Sequence, residues 1–309
     1  MGELTLPEQW LQHARRGDFV RAWQISDLIL QDHRAQPDYT LPRHFQSIWS
    51  GAPVDGQRVF VRCYHGLGDT IQFIRYAPLL RQVAREVIVW AQPQLLRLLR
   101  SVKGIDSLVP LHDGRPDVDY DVDVEVMELP FVFRSTLDTI PRDIPYMTID
   151  ATRLPRASPR VGLVWRAGDW ETERSIPFDA IVRLLDLEGF TWCSLQQGRR
   201  AAETHPALLD ISVTDLTEAA REIKGLDLLI TVDSMPAHLA GALGVPVWTL
   251  LKKDADWRWM ADREDSPWYP TMRLFRQTQS GDWRSVIARV ARALRTPTSV
   301  PPAGSAQSG

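Results

Sequence analysis

Two short stretches of this chain hold the side chains best suited to chemistry. The first is His65-Gly66-Leu67-Gly68-Asp69-Thr70, which joins an apolar run to a helical one. It places an imidazole and a carboxylate four positions apart, and either could act as a general base. The start of the following helix leaves backbone N–H groups free, and its dipole favours an anion. Gly66 and Gly68 are expected to supply φ > 0 and to let a ligand approach the backbone closely. Asp69 would repel a phosphate placed there, so it is either the helix N-cap or a carboxylate kept for proton transfer. The second stretch, Asp233-Ser234-Met235-Pro236-Ala237-His238, follows the apolar run 226–232 and precedes the small-residue segment 239–243. Pro236 suits a first helical turn, where its missing N–H costs nothing. His238 could donate to a phosphate or a ribose, or simply cap or pack.

Other polar groups could meet an anion. Arg166 directly follows the apolar run 161–165, and Arg174 stands shortly before a helical stretch. A guanidinium in such a place can clamp a diphosphate with two parallel hydrogen bonds. The alternative for each is a surface ion pair with Asp169, Glu171 or Glu173. Neither glycine turn spells a standard nucleotide signature: the third glycine of a dinucleotide turn is missing, and no Lys-Ser/Thr pair makes a P-loop. The pair Asp121 and Asp123 matches the spacing of an Asp-x-Asp metal motif, but it sits in an alternating strand and reads as structural.

The elements that must position these groups follow from periodicity. Residues 8–33 carry a helical pattern that Ala14-Arg15-Arg16-Gly17-Asp18-Phe19 breaks into two helices. The spacing of Ala14, Gly17, Phe19 and Ala22 resembles one tetratricopeptide unit, which cannot bury its own face and must pack on a neighbour. Strands are predicted at 58–63, 86–91 and 120–126, with helices at 70–84 and 93–101. The pattern restarts with strands at 160–165, 190–195, 226–232 and 245–251, and helices at 178–187, 216–224 and 283–295. Strand–helix–strand succession requires parallel sheets and right-handed crossovers. The expected domains are a helical hairpin over 1–48, a Rossmann-like domain over 49–155, a second over 156–295, and a disordered Pro/Ser/Gly tail over 296–309. Residues 150–159 read as the linker. The segment 252–272, with Trp257, Trp259, Trp268 and Tyr269 among carboxylates, suits sugar stacking but is expected chiefly to anchor a long loop.

Composition excludes several classes. The chain has 309 residues and a net charge of −3, without a basic tract, which argues against nucleic acid as the main partner. No apolar run approaches the ~20 residues that span a bilayer. The sequence does not open on a basic segment followed by an apolar core, so a cytoplasmic location is expected, with peripheral attachment to the inner membrane still compatible. Its two cysteines, Cys63 and Cys193, lack metal spacing and read as reduced packing thiols.

Several of these motifs, in this order, resemble glycosyltransferase family 9, the heptosyltransferase group. His65-Gly66-Leu67-Gly68-Asp69 with Pro78 is similar to the motif of its N-terminal domain. Asp233 through His238, followed by a small-residue helix and Gly244-Val245-Pro246, is similar to its donor motif. The stretch from Gly162 to Pro177, with Ser194-Leu195-Gln196-Gln197-Gly198 and the Trp-rich loop, resembles glycosyltransferase domains that bacteria fuse to tetratricopeptide repeats. The resemblance covers roughly residues 57–295. It implies an α/β protein of GT-B fold: two Rossmann-like domains facing a cleft, preceded by a short helical hairpin. It also implies an inverting, metal-independent transferase with no cofactor, using a nucleotide-diphosphate sugar and a glycan, lipid-linked glycan or protein acceptor. Asp69 would be the general base, with His65 its rival. Gly66, Gly68, Arg166, Arg174, Gln196, Asp233, Ser234 and His238 would bind the donor. Met235 stands where the family has glycine, which departs from the donor motif. A nucleotide-sugar epimerase or hydrolase on the same fold, or a non-catalytic adaptor, are the other readings of the same residues.

Overall fold

The computed structural model describes residues 4–35, 41–151, 157–168 and 171–296. It divides into two compact units, residues 1–147 with 256–262, and residues 148–255 with 263–309. The hairpin is therefore part of the first unit rather than a domain of its own. The Trp-rich loop is split: residues 256–262 belong to the first unit, and 252–255 with 263–272 to the second. The expected tail beyond residue 296, and residues 152–156 of the expected linker, lie outside the described residues.

The first unit opens with α1 (Leu6–Arg15) and α2 (Phe19–Ala35). Ala14 and Ala22 are fully buried where the helices cross, and Gly17 makes the turn between them at φ +75°. A side chain at Gly17 would also meet Leu137 and Met260, so only glycine fits both backbone and space. Then come β1 (Arg58–Arg62), α3 (Leu67–Phe73), α4 (Ala77–Val83), β2 (Glu86–Ala91), α5 (Leu96–Leu99), β3 (Ser107–Pro110), β4 (Val122–Glu125) and α6 (Leu129–Val132). The four strands are parallel, in the order β3-β2-β1-β4. Val59, Phe60 and Val61 of β1 are fully buried, the near-continuous apolar run expected of a strand covered on both faces. Asp121 and Asp123 pair with Arg58 and Arg62 across β1 and β4. They act as structural partners there.

The second unit contains β5 (Arg160–Val164), α7 (Phe178–Leu185), β6 (Thr191–Ser194), β7 (Leu208–Asp210), α8 (Leu216–Lys224), β8 (Leu228–Val232), α9 (Met235–Ala242), β9 (Val247–Leu251), β10 (Met272–Arg276) and α10 (Trp283–Leu294). All six strands are parallel, in the order β10-β9-β8-β5-β6-β7. Read from the far edge, this is the 3-2-1-4-5-6 winding of a Rossmann sheet, whose order reverses between β5 and β8. Its core joins Val161, Leu163, Ile230 and Leu250 of the sheet to Ile181 of α7 and Val286 and Ile287 of α10. The glycine of α9 has a cause: a Cβ on Gly241 would lie 2.3 Å from the ring of Tyr269, which packs against the helix there.

Candidate active site and donor cavity

In the first unit the sheet order reverses between β1 and β4, and the turn after β1 lies at that crevice. The helix begins at Leu67, three residues earlier than expected. Gly66 is its N-cap at φ −67°, and Asp69 is the third helical residue rather than the cap. Asp69 Oδ2 accepts from the Gly66 N–H at 3.0 Å, half of a capping box. Neither Gly66 nor Gly68 has positive φ, contrary to expectation. Gly66 instead leaves room for the carboxylate, since a Cβ there would stand 3.1 Å from Asp69 Oδ2.

Asp69 has a second partner that the sequence did not reveal. Arg258, 189 positions later, donates from Nη2 to Asp69 Oδ1 at 2.8 Å. Its other terminal nitrogen stands 3.2 Å from Asp256 Oδ2, and the guanidinium lies over the rings of Phe73 and Trp257. The Asp69 side chain keeps 23% of its surface exposed, the Arg258 side chain only 10%. Each carboxylate oxygen thus has one fixed donor and one lone pair left for a proton.

His65 faces the end of β4. Its Nδ1 stands 2.9 Å from Glu125 Oε1, at ion-pair distance but without hydrogen-bond alignment. Burial works against the charged imidazole. The Glu125 carboxylate, helped by Asp69, outweighs burial and raises the His65 pKa above its ordinary value. Glu125 also accepts from the backbone of Tyr64 and Met127. Cys63 is fully buried, and burial pushes its thiol far up, as befits a packing thiol.

The second unit holds a cavity of about 550 Å³ at the carboxyl ends of β5, β6 and β8, the switch point of its sheet. Arg166, Gln196, Ser234 and the first turn of α9 line it. That turn brings the positive end of the helix dipole to the cavity, although Pro236 has no N–H and that of Ala237 donates to the Ser234 carbonyl at 3.0 Å. Gln196 Oε1 accepts from the backbone N–H groups of Trp165 (3.1 Å) and Arg166 (2.8 Å), so it fixes the turn after β5. Arg166 donates to the Gly198 carbonyl and stands 3.5 Å from Glu203.

The remaining candidates sit elsewhere. Arg174 pairs with Glu171 at 3.1 Å and donates to the Asp233 carbonyl at 2.9 Å; it braces the turn before α9 without lining the cavity. His238 is buried, with Nδ1 3.1 Å from the Tyr269 hydroxyl, and is also absent from the cavity wall. Asp169 lies outside the described residues. Arg200, which sequence reasoning passed over, does line the cavity. No pattern marked it, because it falls in an irregular segment after β6.

Residues 189–281, which hold β6 to β10, match the family model of glycosyltransferase family 9 (heptosyltransferase). The likeness to glycosyltransferase family 9 is thus carried by this segment, under a third of the chain. The chain is 25% identical over 286 residues to the protein FlbA of Caulobacter vibrioides, an alignment covering 80% of this chain and 48% of FlbA. The chain thus spans about half the length of that curated relative. A glycosyltransferase family 9 structure from Veillonella parvula superposes with a TM-score of 0.54 at 15% identity, over 80% of this chain and 92% of that one. The ADP-heptose LPS heptosyltransferase II of E. coli gives 0.54 at 12% identity, over 76% and 98%. The fold is accordingly the α/β GT-B type of these glycosyltransferases.

Proposed function

We propose that the protein is an inverting, metal-independent glycosyltransferase that moves a sugar from a nucleotide-diphosphate donor to a hydroxyl acceptor. The observation that carries this reading is the switch-point cavity of the second unit, inside the family 9 segment, lined by Arg166 and the α9 N-terminus. A diphosphate fits that chemistry: dipole and guanidinium offset its charge without a cation. The likeness to an ADP-heptose enzyme makes ADP-sugars the first donors to try.

In the step proposed, the acceptor oxygen bonds to the anomeric carbon as the bond from that carbon to the diphosphate oxygen breaks. The hydroxyl proton passes to Asp69, and the negative charge leaves with the nucleoside diphosphate. Asp69 suits the role better than His65. The raised pKa keeps His65 protonated to higher pH, and an imidazolium has no lone pair to accept a proton. Arg258 and the Gly66 N–H fix the carboxylate's direction.

The deciding experiment is nucleotide release from a panel of ADP- and UDP-sugars, with and without candidate acceptors, in excess EDTA. Acceptor-dependent release that survives EDTA supports the reading. Release that needs magnesium or manganese overturns metal independence. Turnover with no acceptor transfers the assignment to a hydrolase or epimerase.

A further inference from the structure

The first unit contains a second cavity that the proposed roles do not use. It measures about 400 Å³, within the roughly 300–1,000 Å³ of small-molecule pockets. One wall is the hairpin, with Trp10 of α1 and Ser26 and Ile29 of α2. Trp49 and Trp257 add aromatic surface, and His65 and Glu125 stand at its polar end. We infer that this cavity is the subsite for a pyranose ring of the acceptor, built by the N-terminal hairpin against the turn that bears Asp69. The acceptor assignment rests on the glycosyltransferase reading; the binding of a sugar ring does not.

The chemistry of the walls selects the ligand. The indole N–H of Trp10 donates to Ser26 Oγ at 3.0 Å, and that of Trp49 to the Ala52 carbonyl at 2.9 Å. With those donors engaged, both rings offer the pocket apolar faces. Trp10 also meets Trp257 edge-on at 5.3 Å, which holds the two indoles at a fixed angle. At the other end, Glu125 Oε1 accepts from the Tyr64 N–H and faces His65 Nδ1 at 2.9 Å, while Oε2 accepts from the Met127 N–H and keeps a second lone pair. Apolar faces at one side and carboxylate acceptors at the other match the C–H face and hydroxyl rim of a pyranose. A hydrocarbon tail would desolvate the part-exposed His65 without offering it a new partner, which is costly. The arrangement also explains the hairpin: two helices that cannot bury their own faces become a binding wall.

The test is ligand-observed saturation-transfer NMR on the intact protein with methyl glycosides of glucose, mannose, galactose and N-acetylglucosamine. A capped Ser/Thr peptide serves as the rival probe. At least one glycoside should show saturable transfer. Trp10→Ala, which removes an aromatic face, should weaken it about tenfold, the equivalent of about 1.4 kcal/mol. Ile29→Trp, which fills the cavity, should abolish it. Circular dichroism and melting temperature check the folding of both variants, so the loss of one still leaves the other. The inference is overturned if no glycoside binds, if binding persists in both variants, or if the peptide alone binds. ADP affinity, measured by calorimetry on the same samples, should be unchanged in both variants. Absent ADP binding beside intact glycoside binding would sink the transferase reading and leave the sugar pocket standing.

Discussion

The two units use one kind of sheet winding to gather two different sets of polar groups. In each, the strand order reverses beside the first strand of a parallel sheet, and the polar groups gather at the carboxyl ends there. In the first unit the reversal between β1 and β4 collects paired charges: His65 with Glu125, and Asp69 with Arg258. In the second unit the reversal between β5 and β8 collects a helix N-terminus, an amide-fixed turn and arginines around an open cavity. Sheet winding decides where a site forms, and the few residues just past the strand ends decide what it does. A carboxylate held by fixed donors is suited to receive a proton. A cavity lined by a helix N-terminus and guanidinium groups is suited to hold an anion.

Substitutions should separate the two regions. The largest effect is expected from Asp69→Asn. The amide oxygen still accepts from Gly66, but the basic carboxylate is gone. Turnover should fall by about 10²–10⁴-fold while nucleoside-diphosphate affinity stays unchanged. If steady-state kinetics instead find Asp69→Asn active and His65→Ala dead, the base is the histidine.

Arg166→Ala should do the reverse. Loss of one charged hydrogen bond on the order of 1.5–3 kcal/mol would weaken nucleoside-diphosphate binding by roughly ten- to a hundredfold in calorimetry. His238→Ala, off the cavity wall, should leave that affinity nearly unaltered. An equal loss in both variants would erase the distinction drawn between them.

Arg258→Ala tests whether the first site is held from outside its own turn. It removes the partner of Asp69 and Asp256 from a mostly buried place and should cost about 2 kcal/mol of stability, read by urea denaturation. A stability equal to wild type would mean that the pair is not what orients the carboxylate.

The smallest effect is a pH dependence. Because the folded-state pKa of His65 is raised, its stabilising contribution is full below the ordinary value of about 6.5. It is lost as pH rises through the higher folded value. The difference in melting temperature between wild type and His65→Ala should therefore be greatest in mildly acid buffer and shrink above neutrality. A difference that grows with pH would contradict the His65–Glu125 pairing.

Strands buried on both faces were legible in the sequence, because continuous apolar runs such as 87–89 and 228–232 have no other use. The three strands that escaped, β3, β7 and β10, are all sheet edges. Edge strands are short or half-exposed, so their pattern is diluted. At the candidate site, the turn around Asp69 and the donor-side turns were visible because Gly, Pro and Asp punctuate them. The helix start was misplaced because Leu67 and Gly68 look like loop, and only the folded backbone, with the Thr70 N–H donating to the Gly66 carbonyl at 3.1 Å, shows that they are helical.

By itself the sequence determined the parallel α/β class, the hairpin, the two strand–turn–helix motifs and the resemblance to glycosyltransferase family 9. These are local: each rests on periodicity or on residues within one turn. The tertiary structure alone decided that residues 256–262 join the first unit and bring Arg258 to Asp69. It also set His238 and Arg174 off the wall of the second unit's cavity, put Arg200 on it, and made the hairpin one wall of a pocket beside His65. The reason is physical. An ion pair between residues 189 positions apart leaves no periodic trace in the chain, since its energy depends on a distance that only the folded backbone sets.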